Sequence, residues 1–414
     1  MCCRKQRVQD GVDALQDELL ALSHFIHHHP EIGLKEFQAV NQITSLLNSH
    51  HVDSKIGLCG LETAFIATVE GCRPGPHVAL LAEYDALAGI GHGCGHNVIA
   101  TCAVGAFLSA SSVMAELPGR VSLIGTPAEE TYGGKCTLVR QGAFDDVDFA
   151  LMIHPTAAHS LINRSGRAVA TITVKFIGAS AHSAHPQTGI NALSAAIELF
   201  NGIDRIRPTL LLSDNINGVI LDGGHAANVI PGETICSFCV RSCRMLELES
   251  LVASVRRVAE ASAAMIGVQM EFCVENMLYE RYPNLPMSEA FKANMALLGE
   301  EMEYADPQKL YGSSDIGDVS IYVPIIHDYL RISTRDGVNE HSQGFARDAI
   351  SPRADEICIK GAKGLAMTAV DLFENAGLRD RILQYHKEHV PASYRKDAQR
   401  QMDAGSEHSR RLDI

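Results

Sequence analysis

Three short groups of potential metal ligands follow one another in the sequence before residue 160. Cys94 and His96 lie in GHGCGHN, Glu129 and Glu130 lie in TPAEETYGG, and His154 lies in MIHP. Thiolate, imidazole and carboxylate together suit zinc, or another borderline divalent ion, better than calcium or magnesium. Two adjacent acids also allow one to ligate a metal while the other takes a proton from water. The residue types therefore indicate a catalytic metal site.

Each group taken alone has an ordinary structural explanation. A Cys-Gly-His stretch is more often a loop than a ligand pair, and a Glu-Glu pair is usually surface. His92 lies two residues before Cys94 and invites a ligand role, but we interpret it as supporting or structural. We interpret His29, in the turn His29-Pro30-Glu31, as structural too. The prediction therefore depends on whether the fold brings the groups together.

Each group follows a short apolar run of the kind found in buried strands. The runs are HVALLAEYD, RVSLIGTPAEE and DFALMIHP, and apolar stretches typical of helices lie between them. Strands that alternate with helices predict an open α/β sheet. Ligands bind outside the carboxyl ends of the strands in such sheets. We therefore expect the three groups to meet at one edge of the sheet.

Residues 167–283 show a different pattern. Two amphipathic helical stretches and four strand-like stretches follow in the order β-α-β-β-α-β, which is typical of a small ferredoxin-like α+β domain. We predict that this domain is inserted into a larger one, whose two parts are residues 1–166 and 284–376. Residues 377–414 are strongly polar, and we predict a frayed or peripheral C-terminal tail.

Composition narrows the class of protein. The chain has 414 residues, 46% hydrophobic and 20% charged, as in an ordinary globular enzyme, and its formal net charge is −14. That charge argues against nucleic acid as a partner. No apolar run reaches the length of a membrane span, and the N-terminus lacks the apolar core of a secretory signal. We therefore expect a cytoplasmic enzyme with a small-molecule substrate and no membrane partner.

The twelve cysteines show no regular spacing, which favours reduced thiols. One group of cysteines, Cys236, Cys239 and Cys243, has the spacing of half a zinc site. The sequence contains no second cysteine pair that would complete such a site, so we predict that these are thiols buried in a strand or lying at its edge. The Cys2–Cys3 pair is a candidate for acylation, yet no glycine follows the initiator methionine to take a second lipid. We therefore predict no lipid anchor.

The ordered set GHGCGHN, TPAEETYGG, MIHP and GASAHSAHPQTGINAL resembles the M20 metallopeptidase family, in particular its aminoacylase/carboxypeptidase branch. HHHPEIGLKEF and GGHAANVIP also fit, and the resemblance covers roughly residues 12–375. CGHN in place of the commoner CGHD, together with GSSDIGDVS, is similar to the aminobenzoyl-glutamate hydrolases and to animal M20 proteins that act on dipeptides. Because GSSDIGDVS also replaces the family's usual GSEDF-like stretch, substrate contacts there do not carry over.

The resemblance implies a fold and a set of site residues. The fold is an open mixed-sheet zinc-peptidase catalytic domain with an inserted ferredoxin-like domain for lid and dimerisation functions. Glu129 would be the general base and then the general acid, and Asp85 would be a carboxylate that orients the site. The implied metal ligands are Cys94, His96, Glu130, His154 and His341.

The inserted domain would contribute three further residues. His182 of SAHSAHP matches a residue that reaches a neighbouring subunit's site and stabilises the oxyanion. Asn228 of AANVIP and Arg241 match lid positions that touch substrate, although Arg244 lies close enough to Arg241 to take its place. The active enzyme would then be at least a homodimer.

The resemblance implies a metal-dependent amidohydrolase that cleaves N-acyl amino acids or dipeptides with two divalent ions. Zinc is the expected metal, with manganese and cobalt as alternatives. Three other functions stay open on the sequence alone. The same site could form amides in a biosynthetic pathway, the chain could be a non-catalytic binding protein, or Cys94 could act as the nucleophile of a metal-independent hydrolase.

Overall fold

The computed structural model describes residues 3–394, which fall into two compact units. Unit 2 comprises Gly166–Arg281 and Leu310–Gly317, and unit 1 comprises the other described residues. The predicted insertion, 167–283, differs from the first segment of unit 2 by one or two residues at its ends. The second segment was not predicted. It joins unit 2 because the Arg167 backbone N–H donates to the Gly312 carbonyl oxygen and the Arg167 Nε to that of Tyr311, at 3.1 and 3.0 Å.

The helices and strands are numbered in chain order. The α-helices are α1 (Cys3–Ala14), α2 (Gln16–His28), α3 (Phe37–Ser49), α4 (His96–Ser111), α5 (Gly134–Arg140), α6 (Ala192–Ile206), α7 (Met245–Ile266), α8 (Leu285–Leu297), α9 (Ile316–Tyr322), α10 (Gln343–Asp348), α11 (Pro352–Glu374) and α12 (Ala376–His389). The strands are β1 (Ser54–Ile56), β2 (Phe65–Glu70), β3 (Arg73–Ala82), β4 (Pro118–Gly125), β5 (Phe149–Thr156), β6 (Leu161–Ile162), β7 (Ala168–Ile177), β8 (Ala181–His182), β9 (Asn215–Asp222), β10 (Val229–Ile230), β11 (Glu233–Ser242), β12 (Gln269–Leu278), β13 (Glu303–Tyr304) and β14 (Ile325–Arg331).

Unit 1 is built on an eight-stranded mixed sheet in the order β1-β2-β4-β3-β5-β14-β6-β13. The four central strands, β4, β3, β5 and β14, are parallel neighbours. Their apolar runs are buried on both faces, as expected of parallel strands covered by helices. The predicted open mixed sheet is confirmed, and so is the convergence of the carboxyl ends of the three apolar runs at one edge.

Helix α4 fixes the position of the site in unit 1. It connects β3 to β4, and every residue from His96 to Ala110 is buried. It packs along α11, the longest helix of the unit, as well as against α1 and α2. Because its first residue is a predicted ligand, this packing holds one end of the site in the core.

Where the sequence predicted a frayed or peripheral tail from residue 377, the chain forms a helix as far as His389. Residues 376–389 form α12, and the Asn375 side chain caps it by accepting from the Leu378 backbone N–H. Leu378, Ile382 and His386 recur at four-residue spacing and are buried. The Asn284 amide donates to the Ile382 carbonyl oxygen at 3.0 Å. Three inward positions are enough to dock a helix that is polar elsewhere. Residues 395–414, and Cys2 of the possible acylation pair, lie outside the described residues.

Unit 2 contains a four-stranded antiparallel sheet in the order β12-β7-β11-β9. Its chain order, β7-α6-β9-β11-α7-β12, is the predicted β-α-β-β-α-β pattern. Alternate residues of β7 and β11 are buried, and α6 and α7 pack against these strands. Of the three clustered cysteines, Cys236 is buried, Cys239 is half-buried on β11, and Cys243 is exposed just after it.

None of the helices among residues 3–394 combines the length and the apolar character that a membrane crossing requires.

Candidate metal centre

The five predicted ligands and the predicted base form one cluster in unit 1. Their ligand atoms lie within 4.8 Å of one another in three overlapping groups. The groups are Cys94 with His96 and His154, Cys94 with Glu130 and His341, and His96 with Glu129 and Glu130. These residues come from the ends of β3, β4 and β5 and from the loop between β14 and α10, so the sheet edge assembles them.

The distances within the cluster fit metal coordination. Cys94 Sγ lies 3.4 Å from His154 Nε2. Glu130 Oε1 lies 3.7 Å from His96 Nε2 and 3.6 Å from His341 Nε2, between the two imidazoles. Two nitrogen, oxygen or sulfur ligands in a tetrahedral zinc site, each about 2.0–2.3 Å from the ion, are separated by roughly 3.3–3.7 Å.

The hydrogen bonding of the cluster also calls for a cation. His96 Nδ1 lies 3.0 Å from Asp85 Oδ1 and 2.9 Å from the Asp85 carbonyl oxygen, so it carries the ring proton. His96 Nε2 is therefore the ring nitrogen that is available to a metal ion. Neither this nitrogen nor Glu130 Oε1 has a hydrogen-bond partner among the described residues, although both are buried. Acceptors that face one another without a donor are stabilised by a bound metal ion.

The acid–base properties of the cluster point the same way. Burial raises the pKa of the Cys94 thiol well above its ordinary value. Burial lowers the pKa of His96, but its contacts with Cys94 and Asp85 outweigh that effect and raise the pKa well above the usual range. Without a metal, the site therefore holds protons that a divalent ion would displace.

Backbone geometry holds the ligand loops together. Gly95, between Cys94 and His96, has φ +78°, and a Cβ atom there would lie 2.6 Å from Pro155 Cγ. Only glycine therefore allows this loop to pack against the end of β5. The backbone N–H of His341 donates to the Gly93 carbonyl oxygen at 2.8 Å. His341 itself has φ +60°, a conformation that is costly for a residue with a Cβ and that clusters at functional sites.

Asp85 lies where a carboxylate that orients the site is expected. It is buried, and its two oxygens serve two different ligands. Oδ1 faces His96 Nδ1, and Oδ2 accepts from the Glu130 backbone N–H at 3.0 Å. Burial by itself raises the pKa of Asp85, but the positive charge on His96 reverses the shift and the pKa is lowered. The carboxylate is therefore ionised and aligns both ligands.

Sequence reasoning missed Glu36, which supports the loop of the two glutamates. This fully buried carboxylate accepts from the Ala128 backbone N–H at 2.8 Å and from Thr63 Oγ1 at 2.7 Å. Ala128 precedes Glu129 and has φ +60°. Gly33 lies against the same loop, since a Cβ there would be 2.8 Å from Ala128 Cβ. No spacing rule connects residue 36 with residue 128, so only the fold reveals this contact.

His92 lies outside the three ligand groups. It is buried, and its ring centroid is 6.0 Å from that of His27. Burial, assisted by the nearby His96, lowers the pKa of His92 to about 3, so the ring is neutral. His29 stacks on Phe25 with centroids 4.1 Å apart. Both positions agree with the structural roles expected of these histidines.

The three predicted substrate residues of unit 2 divide into two places. His182 pairs with Val229 across β8 and β10, and the Ser183 backbone N–H donates to the Asn228 carbonyl oxygen at 3.0 Å. His182 and Asn228 are therefore neighbours, and both are exposed. Arg241 lies near the opposite end of β11, where its Nη1 donates to Ser313 Oγ at 2.8 Å. Unit 2 brings the first two residues together and keeps the third apart.

Comparison with known proteins agrees with this geometry. Xaa-Arg dipeptidase from Mus musculus is 33% identical over 403 residues, which cover 92% of each chain. The chain belongs to the M20 peptidase family. Within this M20 peptidase, residues 164–264 match the peptidase dimerisation domain. One subunit of the p-aminobenzoyl-glutamate hydrolase from Escherichia coli is 25% identical, with 92% of this chain and 94% of that protein covered.

Solved structures share the fold. A dinuclear metal-binding M20 peptidase from Bacillus subtilis matches with a TM-score of 0.63 at 21% identity, covering 87% of this chain and 99% of that one. An aminobenzoyl-glutamate utilization protein from Klebsiella pneumoniae matches with a TM-score of 0.70 at 18% identity, covering 87% and 98%. The predicted family, fold class and hydrolytic function are thereby confirmed. As an M20 peptidase, the chain is a metal-dependent hydrolase of the peptidase and amidohydrolase type.

Asn97 follows His96 and stands where the commoner motif CGHD has an aspartate. Its contacts account for the amide at this position. The Asn97 amide nitrogen is buried and donates to Ser23 Oγ at 2.9 Å and to the Ala349 carbonyl oxygen at 2.8 Å. A carboxylate cannot donate to that carbonyl. The amide therefore ties the first turn of α4 to α2 and to the end of α10.

Replacing this amide by a carboxylate should weaken unit 1. We expect Asn97→Asp to lower the free energy of unfolding of the metal-free protein by about 2 kcal/mol, because a buried carbonyl loses its donor and faces an acid. Urea denaturation followed by circular dichroism measures the change. The exposed Asn48→Asp is the matched control and should change little. Equal stability of both variants would contradict this role of Asn97.

Proposed function

We propose that this M20 peptidase hydrolyses dipeptides or N-acyl amino acids at a two-metal centre. Its ligands are Cys94, His96, Glu130, His154 and His341. The observation that carries the proposal is the convergence of these residues with Glu129 in one partly buried cluster, in which His96 Nε2 and Glu130 Oε1 have no hydrogen-bond partner among the described residues. When bound, a pair of divalent ions lowers the pKa of water and polarises the scissile carbonyl. The thiolate and imidazole ligands favour zinc, with manganese or cobalt as alternatives.

Within this site, Glu129 is the general base. The side chain of its neighbour Glu130 is only 7% exposed and lies between two imidazoles, which suits a ligand. Glu129 shares a group with His96 and Glu130 and is partly exposed, so a water molecule can reach it. Glu129 accepts the proton of the attacking water and then gives it to the leaving amine.

A dipeptide with a C-terminal arginine is the first substrate to test. The mouse relative at 33% identity is named for dipeptides of this kind, and a human Xaa-Arg dipeptidase is 32% identical. The net charge of −14 also favours the approach of a cationic substrate. Compounds of the N-acyl amino acid class are the second group to test, because N-acetylcysteine deacetylase of Bacillus subtilis is 26% identical over 295 residues.

The positions of the lid residues support a homodimer. His182 and Asn228 lie beyond one end of the ten-residue strand β11, and Arg241 lies near its other end. Ten strand residues span about 33 Å, whereas a dipeptide spans only about 7 Å. The unit 2 of one copy therefore cannot place all three residues on one substrate. We propose that His182 and Asn228 serve the substrate of a second copy of the chain, with His182 holding the oxyanion, and that Arg241 does not share that substrate molecule with them.

The edge strand β9 is the proposed dimer contact. Val219, Ile220 and Leu221 are consecutive, apolar and 56%, 40% and 64% exposed. The other edge strand, β12, instead exposes Glu271 and Glu275, charges that prevent strand addition. When one edge strand of a sheet is apolar and the other is protected by charge, the apolar edge is the expected contact with the sheet of a second copy.

We also propose that the enzyme works in the cytoplasm. No disulfide joins cysteines among residues 3–394, as expected in a reducing compartment.

The first test concerns the general base. We expect Glu129→Gln to lower kcat by at least about a thousandfold, because the amide cannot accept the proton, while two zinc ions per chain remain bound. Steady-state kinetics and elemental analysis measure the two quantities. The exposed Glu301→Gln is the control and should behave like the unsubstituted enzyme. Ordinary turnover by the Glu129 variant would rule out this role.

The second test concerns the metal and the substrate. A chelator should abolish hydrolysis of Xaa-Arg dipeptides, and zinc, manganese or cobalt should restore it, because the attacking water depends on the metal for its activation. Release of free arginine, measured by chromatography, reports the reaction across a panel of dipeptides and N-acyl amino acids. Activity that survives complete metal removal would instead favour nucleophilic catalysis by Cys94.

The third test concerns the dimer. The double variant Val219→Lys/Leu221→Lys should be a monomer by light scattering after size-exclusion chromatography, because like charges would meet at the joined edges. It should lose activity yet still bind metal, since unit 1 supplies the ligands. Leu297→Lys, at a 62% exposed leucine of unit 1, should remain dimeric. A dimeric double variant would show that β9 is not the contact.

A further inference from the structure

Lys135 and Glu83 form a buried ion pair beside the metal cluster. Lys135 Nζ donates to Glu83 Oε1, and the two side chains are 0% and 1% exposed. Burying two charges costs more than their attraction returns unless further contacts compensate. The proposed mechanism uses neither residue. A pair of this kind therefore calls for a reason beyond the stability of the fold.

The second oxygen of Glu83 supplies that reason. Glu83 Oε2 is buried and has no hydrogen-bond partner among the described residues. It lies 3.5 Å from His96 Nε2, the nitrogen that also faces Glu130 Oε1 at 3.7 Å. Because His96 Nδ1 faces Asp85, this is the ring nitrogen that is available to a metal ion. Two carboxylate oxygens thus face the one nitrogen of His96 that can bind metal.

We infer that Glu83 is a further carboxylate of the metal centre, with Oε2 facing and stabilising the ion held at His96, and that Lys135 positions it. The inference rests on the two-metal centre proposed above. Glu83 follows the last residue of β3 directly, and Lys135 lies five residues after Glu130, in the first turn of α5. The ion pair therefore joins the end of β3 to the segment after the loop of the two glutamates, and it turns one oxygen towards His96.

The spacing separates this role from that of an ordinary ion pair. A lysine that served only to neutralise Glu83 could bond both carboxylate oxygens, but here it bonds one while the other lies at ligand-to-ligand distance from His96. Lys135 also offsets part of the negative charge that Cys94, Glu130 and Glu83 bring to the site. Glu83 is thus a positioning and charge-supplying residue, and its loss should weaken metal binding before it affects the fold.

Cobalt binding tests the inference with a readout other than activity. Apoprotein is titrated with cobalt(II) alone, and calorimetry and the visible spectrum report the affinity and environment of each ion. The double variant Glu83→Gln/Lys135→Met removes both charges together, so no uncompensated charge is left in the core. We expect one of the two cobalt ions to bind at least about tenfold more weakly, with a changed visible spectrum.

Two further variants separate charge from packing. Lys135→Met keeps the carboxylate but removes the residue that positions it, so one cobalt ion should bind more weakly, though by less than in the double variant. Lys5→Met/Asp371→Asn removes a partly buried ion pair elsewhere in unit 1, with a separation of 2.6 Å, and should leave both affinities unchanged. Thermal unfolding of the metal-free proteins shows whether each variant is folded.

The outcomes are distinct. Weaker cobalt binding by the folded Glu83→Gln/Lys135→Met variant, with normal binding by the Lys5/Asp371 control, supports the inference. Unchanged affinities and spectrum in the folded double variant would overturn it and leave the pair a purely structural one. If the unsubstituted protein binds no cobalt, the proposed two-metal function fails, and the inference fails with it.

Discussion

Electrostatic crowding at the end of a parallel sheet is the constraint on which the rest of unit 1 depends. The central strands deliver a thiol, imidazoles and carboxylates to one edge, where α4 and its neighbours exclude most of the water. Among the described residues, three buried polar atoms of the site have no hydrogen-bond partner: His96 Nε2, Glu130 Oε1 and Glu83 Oε2. Such an arrangement is costly in a protein without a cation and favourable with one. The fold thus brings the groups of a metal site together before an ion binds.

A second layer of contacts keeps these groups in place. Asp85 aligns His96 and the backbone of Glu130, and Glu36 holds the strained Ala128 just before the two glutamates. The loop of His341 is tied to the loop of Cys94 by one backbone hydrogen bond to Gly93. Strained residues on both sides of a cluster indicate that surrounding packing, rather than local preference, determines their geometry. Ligands that are held rigidly lose little entropy when metal binds.

Unit 2 differs from unit 1 in having few buried polar groups and a sheet with an exposed edge strand. Its antiparallel sheet is protected by charge along β12 and exposes apolar residues along β9. The separation of Arg241 from His182 and Asn228 is a property of the length of β11. A single unit 2 therefore cannot bring all three residues to one small substrate.

The sequence by itself determined the family, the alternation of strands and helices, and the ligand types. Each of these depends on local patterns: apolar runs of strand length, a ligand motif that ends each run, and the β-α-β-β-α-β order. Local patterns did not predict helix α12. Residues 377–389 are mostly polar, and only three of their positions are buried and dock the helix. Only the tertiary structure decided that Glu36 supports the base loop, that Asn97 needs an amide, and that Glu83 faces His96 while Lys135 holds it. These contacts join residues 13 to 252 positions apart, and no periodicity in a chain specifies which distant side chains share a buried space.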